Sequence, residues 1–157
     1  MDALDTIDRK ILTLLQRDGR MSNADLADAI NLSPSACLRR VKRLEDDGFI
    51  DGYVMLLNQA AVGKPTNVFV EITLGSLADE TVEAFERAVI NCPDVRGCYL
   101  MSGDADYLLR IACSGPEGYE QIHRNYLSRL PGVTRIRSSF ALRTVFKKTG
   151  VKLDDNC

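Results

Sequence analysis

Two short helical segments joined by only three residues constrain this chain more than any other feature. The first covers residues 23–30, and Ser33-Pro34 predicts a new helix directly after Asn31-Leu32-Ser33, since serine caps helix starts and proline is tolerated in a first turn. The second covers residues 34–47 and ends at Gly48, which suits a left-handed cap. A link this short holds two helices at a fixed angle, so the segment is predicted to form a helix-turn-helix.

The second helix of this pair carries a concentrated positive charge. The formal net charge of the whole chain is −2, and residues 1–60 hold eight basic and ten acidic side chains. Between Ala29 and Leu44, however, there are four basic residues and no acidic one. Such a surface repels phosphate everywhere except at this helix, which is typical of a helix that enters a DNA groove.

Side chains near the start of such a helix reach base edges, whereas the others contact the backbone. We therefore predict that Arg39 binds a guanine edge and that Arg40, Lys42 and Arg43 bind phosphates. The alternative interpretation is a solvated helix face without a ligand. The residues predicted to contact DNA are Ser22, Ser33, Ser35, Ala36, Arg39, Arg40, Lys42 and Arg43.

The residues around this pair complete a small N-terminal domain. Asp5 is predicted to cap a first helix whose apolar stripe repeats at helical spacing and which stops at Asp18-Gly19. After Gly48, residues 49–50 and 53–57 are predicted to form two short strands around Asp51-Gly52. These strands would be a wing, so residues 1–57 are predicted to form a winged helix-turn-helix and residues 58–66 a linker.

Residues 67–157 alternate between strand and helix patterns. Strands are predicted at 67–75, 95–102, 107–114 and 133–147, and helices at 78–91 and 116–130. The order βαββαβ is that of a ferredoxin-like domain, so the fold class is α+β. Such a sheet has one face without helices, and Phe69, Phe140 and Leu142 are expected to make a sheet face apolar. An uncovered apolar face predicts a second copy of the chain as partner.

The residue types exclude several other classes of protein. The five cysteines are widely spaced and His123 is the only histidine, so no zinc site is expected. There is no recognisable nucleophile–base pair or phosphate-binding glycine loop, which argues against an enzyme, and no metal or other cofactor is expected. The acidic N-terminus does not suit a signal peptide and no apolar run has the length of a membrane span, so a cytoplasmic location is expected.

Four stretches of the sequence together carry a family resemblance. They are IDRKILTLLQRDGR (residues 7–20), LADAINLSPSACLRRVKRLEDDGFI (26–50), MSGDADYLLRI (101–111) and LPGVTRIRSSFALRTV (130–145). Because these stretches occur in the order and spacing typical of that family, the chain resembles the Lrp/AsnC (leucine-responsive and asparagine-synthesis regulator) family of prokaryotic transcription factors. The resemblance implies an N-terminal DNA-binding domain and a C-terminal domain that dimerises and senses small effectors, usually amino acids. It also implies homodimers that assemble further, often to octamers.

The resemblance places effector binding near the loop between the second and third predicted strands, with the last strand as the opposing wall. The implied effector-binding residues are Ser102, Gly103, Asp104, Asp106, Tyr107, Arg137, Ser138 and Ser139. From the residues alone, the same loop also fits a polar hairpin without a ligand. We expect a sequence-specific regulator of transcription that responds to an amino acid. The alternatives are a metabolite-sensing assembly module without DNA readout and a small enzyme.

Overall fold

The computed structural model describes residues 4–153, which divide into two compact units. Within that range, the first unit consists of residues 4–56 and 146–153, and the second of residues 57–145. We call residues 146–153 the C-terminal tail. The expected domain boundaries differ from these units in two ways, because the tail packs with the N-terminal helices and residues 57–66 pack with the second unit.

The first unit contains the three predicted helices, α1 (Thr6–Arg17), α2 (Asn23–Ala29) and α3 (Pro34–Asp46). Each begins after a side-chain cap, and Asp5 forms a reciprocal capping box with Asp8 at the start of α1. The buried core joins all three helices. It consists of Ile11, Leu12, Leu26, Ala27, Ile30, Cys37 and Leu44.

The link between α2 and α3 is fixed by two local features. Asn31 has a positive φ of 55°, a conformation that asparagine tolerates better than most residues. The backbone N–H of Leu32 then donates to the carbonyl of Ala27 over 3.0 Å. In addition, Asn23 Nδ2 donates to the carbonyl of Pro34 over 2.8 Å, which joins the starts of the two helices. The predicted helix-turn-helix therefore has a defined geometry.

The two predicted wing strands are wrong in this structure, since residues 49–57 contain no strand. The backbone N–H groups of Phe49 and Ile50 both donate to the carbonyl of Leu44, at 2.9 and 3.2 Å. They complete the C-terminus of α3 and are no longer free to form a hairpin ladder. Tyr53 is similarly turned toward α3, where its hydroxyl donates to Glu45 Oε1 over 3.0 Å.

The second unit is a four-stranded antiparallel sheet with two helices. In chain order its elements are β1 (Thr66–Leu74), α4 (Asp79–Ile90), β2 (Val95–Leu100), β3 (Tyr107–Cys113), α5 (Pro116–Asn125), a 3₁₀ turn (Leu127–Arg129) and β4 (Val133–Phe140). The strand order β2-β3-β1-β4 is that of a ferredoxin-like fold. The predicted fold class is therefore confirmed.

The last strand is shorter than predicted and is followed by the C-terminal tail. β4 pairs with β1, and Ala141 N donates to the carbonyl of Asn67 over 2.9 Å near the beginning of β1. Beyond that point β1 offers no further partner, so the ladder ends. The tail instead joins the first unit, where Val151 N donates to Gln16 Oε1 over 2.6 Å and Leu153 packs against the helical core.

Alternation along β1 separates a helix-covered face from an open face of the sheet. Val68, Val70 and Ile72 are fully buried beneath the helices, whereas Phe69 lies on the open face and is 38% exposed. The expectation for Phe140 is corrected here. Its ring packs edge-on against Tyr119 of α5 at a centroid distance of 5.3 Å, so it lies on the helix-covered side.

Candidate functional site

Helix α3 presents one continuous exposed stripe, formed by Ser35, Leu38, Arg39 and Lys42. These positions are spaced i, i+3, i+4 and i+7, which places them on one side of a helix. Within residues 4–153, neither Arg39 nor Lys42 has a salt-bridge partner. Leu38 is 58% exposed, although its place beside the buried face of the predicted helix suggested a partly packed residue. An exposed apolar residue beside two cations suits contact with a thymine methyl group.

The other two basic residues of α3 are turned toward α1, which differs from their predicted contact with phosphates. Arg40 Nη1 donates to Asp5 Oδ2 over 2.6 Å and to Asp8 Oδ1 over 2.8 Å. Arg43 Nη2 donates to Asp8 Oδ2. The Asp8 side chain is only 1% exposed, so the two guanidinium groups cover its charge. Ala36 lies on the same half-buried side of the helix.

The contacts between α1 and α3 shift the pKa values of Asp5 and Arg40. Burial opposes ionisation of Asp5, but hydrogen bonds from the backbone of Asp8 and the side chain of Arg40 outweigh it and hold the pKa of Asp5 below its ordinary value. The hydrogen bonds to Asp5 and then Asp8 raise the pKa of Arg40. Sequence reasoning missed Asp8. The available signal was a carboxylate three residues after a helix cap and at i−4 from Leu12 on the buried stripe of α1.

The two predicted DNA-contacting serines outside the stripe are helix caps. Ser22 Oγ accepts from Asp25 N over 3.1 Å and donates to the Asp25 carboxylate over 2.6 Å. Ser33 Oγ accepts from Ala36 N over 3.3 Å and lies 3.2 Å from Ser35 Oγ. Both serines are exposed at the ends of α2 and α3. Their hydroxyls thus fix the starts of α2 and α3. The cap of α3 lies next to Ser35, the first residue of the exposed stripe.

The loop between β2 and β3, residues 101–106, is anchored to the end of β1. Asp106 Oδ2 accepts from Leu74 N over 2.7 Å, and Asp106 N donates to the carbonyl of Ile72 over 2.9 Å. Met101 N closes the loop by donating to the carbonyl of Asp106 over 2.8 Å. The remaining loop residues predicted to contact an effector, Ser102, Gly103 and Asp104, are exposed. The loop therefore has a rigid base and an accessible tip.

Two of the residues implied for effector binding point into the helix-covered side of the sheet. Tyr107 is 1% exposed, and its hydroxyl donates to Glu86 Oε1 over 2.7 Å. Burial, followed by the hydrogen bond and charge of Glu86, raises the pKa of Tyr107 to about 12. Ser138 is hydrogen-bonded to the hydroxyl of Tyr119. Both hydroxyls have partners on the helix-covered side of the sheet, and neither is directed toward the open face.

Arg137 and Ser139 lie on the open face, and Ser139 is the more distant of the two from the loop. Arg137 pairs with Glu71 at an Nε–Oε2 distance of 3.5 Å, and Ser139 stands opposite Phe69. The loop is anchored at Ile72 and Leu74, three and five residues along β1 from Phe69. At about 3.3 Å per residue these separations are roughly 10 and 16 Å. One subunit therefore does not bring the loop and Ser139 together around a small molecule.

Comparison with known proteins agrees with this two-unit arrangement. Residues 4–51 match the family model for winged helix-turn-helix DNA-binding domains, and residues 67–151 match that for the Lrp/AsnC ligand-binding domain. The chain belongs to the Lrp/AsnC family. Leucine-responsive regulatory protein from Escherichia coli is 44% identical over 142 residues, which are 90% of this chain and 87% of that protein. This family member is therefore a DNA-binding regulator of transcription with a ligand-binding domain, as predicted.

Solved structures show the same fold along nearly the whole chain. A transcriptional regulator from Neisseria meningitidis in complex with L-Met has a TM-score of 0.92 and 34% identity, covering 97% of this chain and 98% of that one. An AsnC family transcriptional regulator from Agrobacterium tumefaciens has a TM-score of 0.91 and 34% identity, covering 95% and 97%. None of the helices within residues 4–153 is long and apolar enough to cross a membrane.

Proposed function

We propose that this Lrp/AsnC family member reads DNA through the exposed stripe of α3. In this proposal Arg39 binds a base edge, Leu38 contacts a thymine methyl group and Lys42 binds a phosphate. Ser35 and the capped helix start lie at the end of the stripe that enters the groove first. The observation that carries the proposal is that Arg39 and Lys42 are exposed and without an ion pair in residues 4–153, on a helix fixed by its caps.

The test of this surface is base-specific loss of affinity. A duplex selected by the parent protein from a random library supplies the target, and single base-pair changes in it supply the comparison. Arg39→Ala is expected to cost about 1–3 kcal/mol on the selected duplex and to abolish discrimination at one base pair. Arg129→Ala, at an exposed arginine of the second unit, is the matched control and leaves affinity unchanged. Equal loss on every duplex would instead place Arg39 among the phosphate contacts.

We further propose that the effector is an amino acid bound between subunits. The exposed loop tip at Ser102, Gly103 and Asp104 supplies one wall, and Ser139 and Arg137 of a second subunit supply the other. The separation of Ser139 from the loop along β1 supports this division, and the L-Met complex of the Neisseria relative supports the ligand class. Three of the implied residues have partners within the subunit and hold the loop and β4 in place instead of contacting the effector. They are Asp106, Tyr107 and Ser138.

Calorimetric titration with a panel of amino acids that includes L-methionine tests the effector proposal. Heat is expected for at least one member of the panel with the parent protein. Asp104→Ala is expected to weaken that binding, since a carboxylate at the loop tip can bind the ligand ammonium. Asp79→Ala changes an exposed acid on α4 and serves as the control. The absence of heat for every amino acid with the parent protein would contradict the proposal.

We propose finally that the open face of the sheet joins two copies of the chain and that dimers assemble further, up to octamers. The helices cover only one side of the sheet, and Phe69 and Tyr99 leave exposed rings on the other. Pairing of two such domains would fix the spacing of two recognition helices on one duplex. As a DNA-binding regulator, the assembly would act in the cytoplasm, where a prokaryotic chromosome lies.

A further inference from the structure

The four basic side chains of α3 divide into two electrostatic classes. Arg39 and Lys42 are exposed, whereas Arg40 and Arg43 meet a carboxylate of α1 that is almost completely buried. The side chains of Arg40 and Arg43 retain 26% and 41% of their exposure, so they stand at the margin of the exposed stripe. Two of four cations are therefore withdrawn from the side of the helix proposed to meet DNA.

Helix packing alone does not explain why a carboxylate occupies position 8. The neighbouring buried positions of α1, Ile11 and Leu12, are apolar, and apolar replacements of a buried ion pair are often neutral or stabilising. The network is also imperfect, since Arg43 Nε is buried without an acceptor among residues 4–153. The capping box uses an Asp8 oxygen, which accepts from Asp5 N over 3.2 Å, but an uncharged amide can fill that role. The buried negative charge is therefore better explained by what it does to the two arginines.

Phosphate contacts control sequence-independent binding. Each neutralised phosphate steepens the slope of log affinity against log salt by about 0.9, and these contacts supply essentially all non-specific affinity. A regulator is useful only when its affinity for its site exceeds its affinity for competing DNA. Extra phosphate-binding arginines beside the stripe would raise the affinity for competing DNA more than that for the selected site. On competing DNA no base contacts fix the register, so the arginines can settle on the nearest phosphates, and the ratio of the two affinities falls.

We propose that Asp8 is a specificity-determining residue, which holds Arg40 and Arg43 against α1 and thereby keeps them off DNA phosphates. Asp5 assists, because it shares Arg40 and caps α1 beside Asp8. The arrangement also positions α3, since both contacts join it to α1 across more than thirty positions of sequence. This inference rests on the proposed DNA-reading role of the exposed stripe.

The test compares Asp8→Asn with the parent full-length chain on a selected duplex and a scrambled one over a range of salt concentrations. Release of Arg43 is expected to steepen the salt slope on scrambled DNA by about 0.9, and release of Arg40 from Asp5 as well would bring the change to about 1.8. These changes correspond to about a threefold and about a tenfold greater loss of affinity between 50 and 200 mM salt. The ratio of affinities for selected and scrambled DNA is expected to fall. Asp28→Asn, at an exposed acid of α2 without a side-chain hydrogen bond or salt bridge in residues 4–153, matches the change in charge and should leave the slope unchanged.

Two further measurements test the cause of the change in slope, and the second does not require the Asp8→Asn variant to fold. The triple variant Asp8→Asn, Arg40→Gln, Arg43→Gln is expected to regain the parent salt slope, because no arginine is released. In the parent background, Arg40→Gln is expected to leave the salt slope unchanged, whereas Lys42→Gln makes the slope shallower by about 0.9, because one phosphate contact is lost. An equal decrease for both would overturn the inference, since Arg40 would then bind phosphate while paired.

The failure of this inference and that of the proposed DNA-reading surface give different results. If Arg39→Ala and Lys42→Gln weaken binding as expected while a folded Asp8→Asn variant keeps the parent slope and ratio, only the role of Asp8 is refuted. If neither Arg39→Ala nor Lys42→Gln affects DNA binding, the exposed stripe is not the DNA-reading surface. Both proposals are then overturned.

Discussion

Tyr107 shows how a single buried hydroxyl links the sheet of the second unit to its helices. Its ring packs against Phe85 at a centroid distance of 4.6 Å, and its hydroxyl donates to Glu86, so β3 is joined to α4. The pKa of about 12 lies above the ordinary value of 10, which means that folding favours the protonated phenol. The resulting stabilisation is complete below about pH 10 and is lost as the pH rises toward 12.

Tyr107→Phe is expected to lower the free energy of unfolding by about 1 kcal/mol at pH 7, through loss of the hydrogen bond. The stability advantage of the parent over the variant should then fall between pH 10 and pH 12 by an amount on the order of 2 kcal/mol. It therefore changes sign, and the variant becomes the more stable protein at about pH 11 and above. Urea denaturation at several pH values measures both effects. Tyr99→Phe, at a ring that is 55% exposed, is the control. A stability difference that stays constant to pH 12 would contradict the assigned cause.

Among the elements, the C-terminal tail is the one whose place was not expected. It follows β4 in sequence and packs on α1. There Leu153 joins the helical core, and the backbone N–H of Val151 donates a hydrogen bond to Gln16. The DNA-binding unit is thus built from two separate stretches of chain. Its core includes a residue that lies beyond the sensing domain in sequence.

Leu153→Ala is expected to destabilise the first unit by about 1–2 kcal/mol, less than a fully buried leucine would, since Leu153 is only half-buried. Val151→Ala, in the same tail at a side chain that is 73% exposed, should have an effect within about 0.5 kcal/mol. Thermal unfolding of both variants, followed by circular dichroism, makes the comparison. Equal and negligible effects would show that the tail does not contribute to the helical core.

At the scale of the whole molecule, the chain passes twice between its two units, near residues 56–57 and 145–146. The second unit leaves one sheet face without helices, and that face carries both exposed rings and the Glu71–Arg137 pair. A face of this composition suits a self-complementary contact, since apolar rings and opposite charges recur on both copies. The proposed assembly would place several DNA-binding units on one particle.

Phe69→Glu is expected to weaken self-association at least about tenfold, because the carboxylate would be buried in the contact without a partner. Light scattering over a range of protein concentrations measures the change as a lower mass at equal concentration. Ile90→Glu introduces the same charge at a side chain that is 80% exposed at the end of α4, on the helix layer, and is the matched control. Equal masses for both variants would exclude the open face as the dimer contact.

The sequence by itself determined the helix starts and the order of the strands. Ser22, Ser33-Pro34 and Gly48 act through contacts within a few residues, so local chemistry specifies where α2 and α3 begin and where α3 stops. Period-two and helical spacings similarly predicted βαββαβ. The exposure of Arg39 followed from its place on the helical wheel, and Tyr107 was correctly placed at the start of β3.

Only the tertiary structure decided where several of these side chains point. Arg40 and Arg43 turn away from the stripe because Asp8 lies beside them in space, although it lies more than thirty residues away in sequence. The wing strands fail because the carbonyl at the end of α3 accepts the N–H groups they need. Long-range contacts of this kind leave no periodic mark on a sequence, because they depend on how separate elements meet.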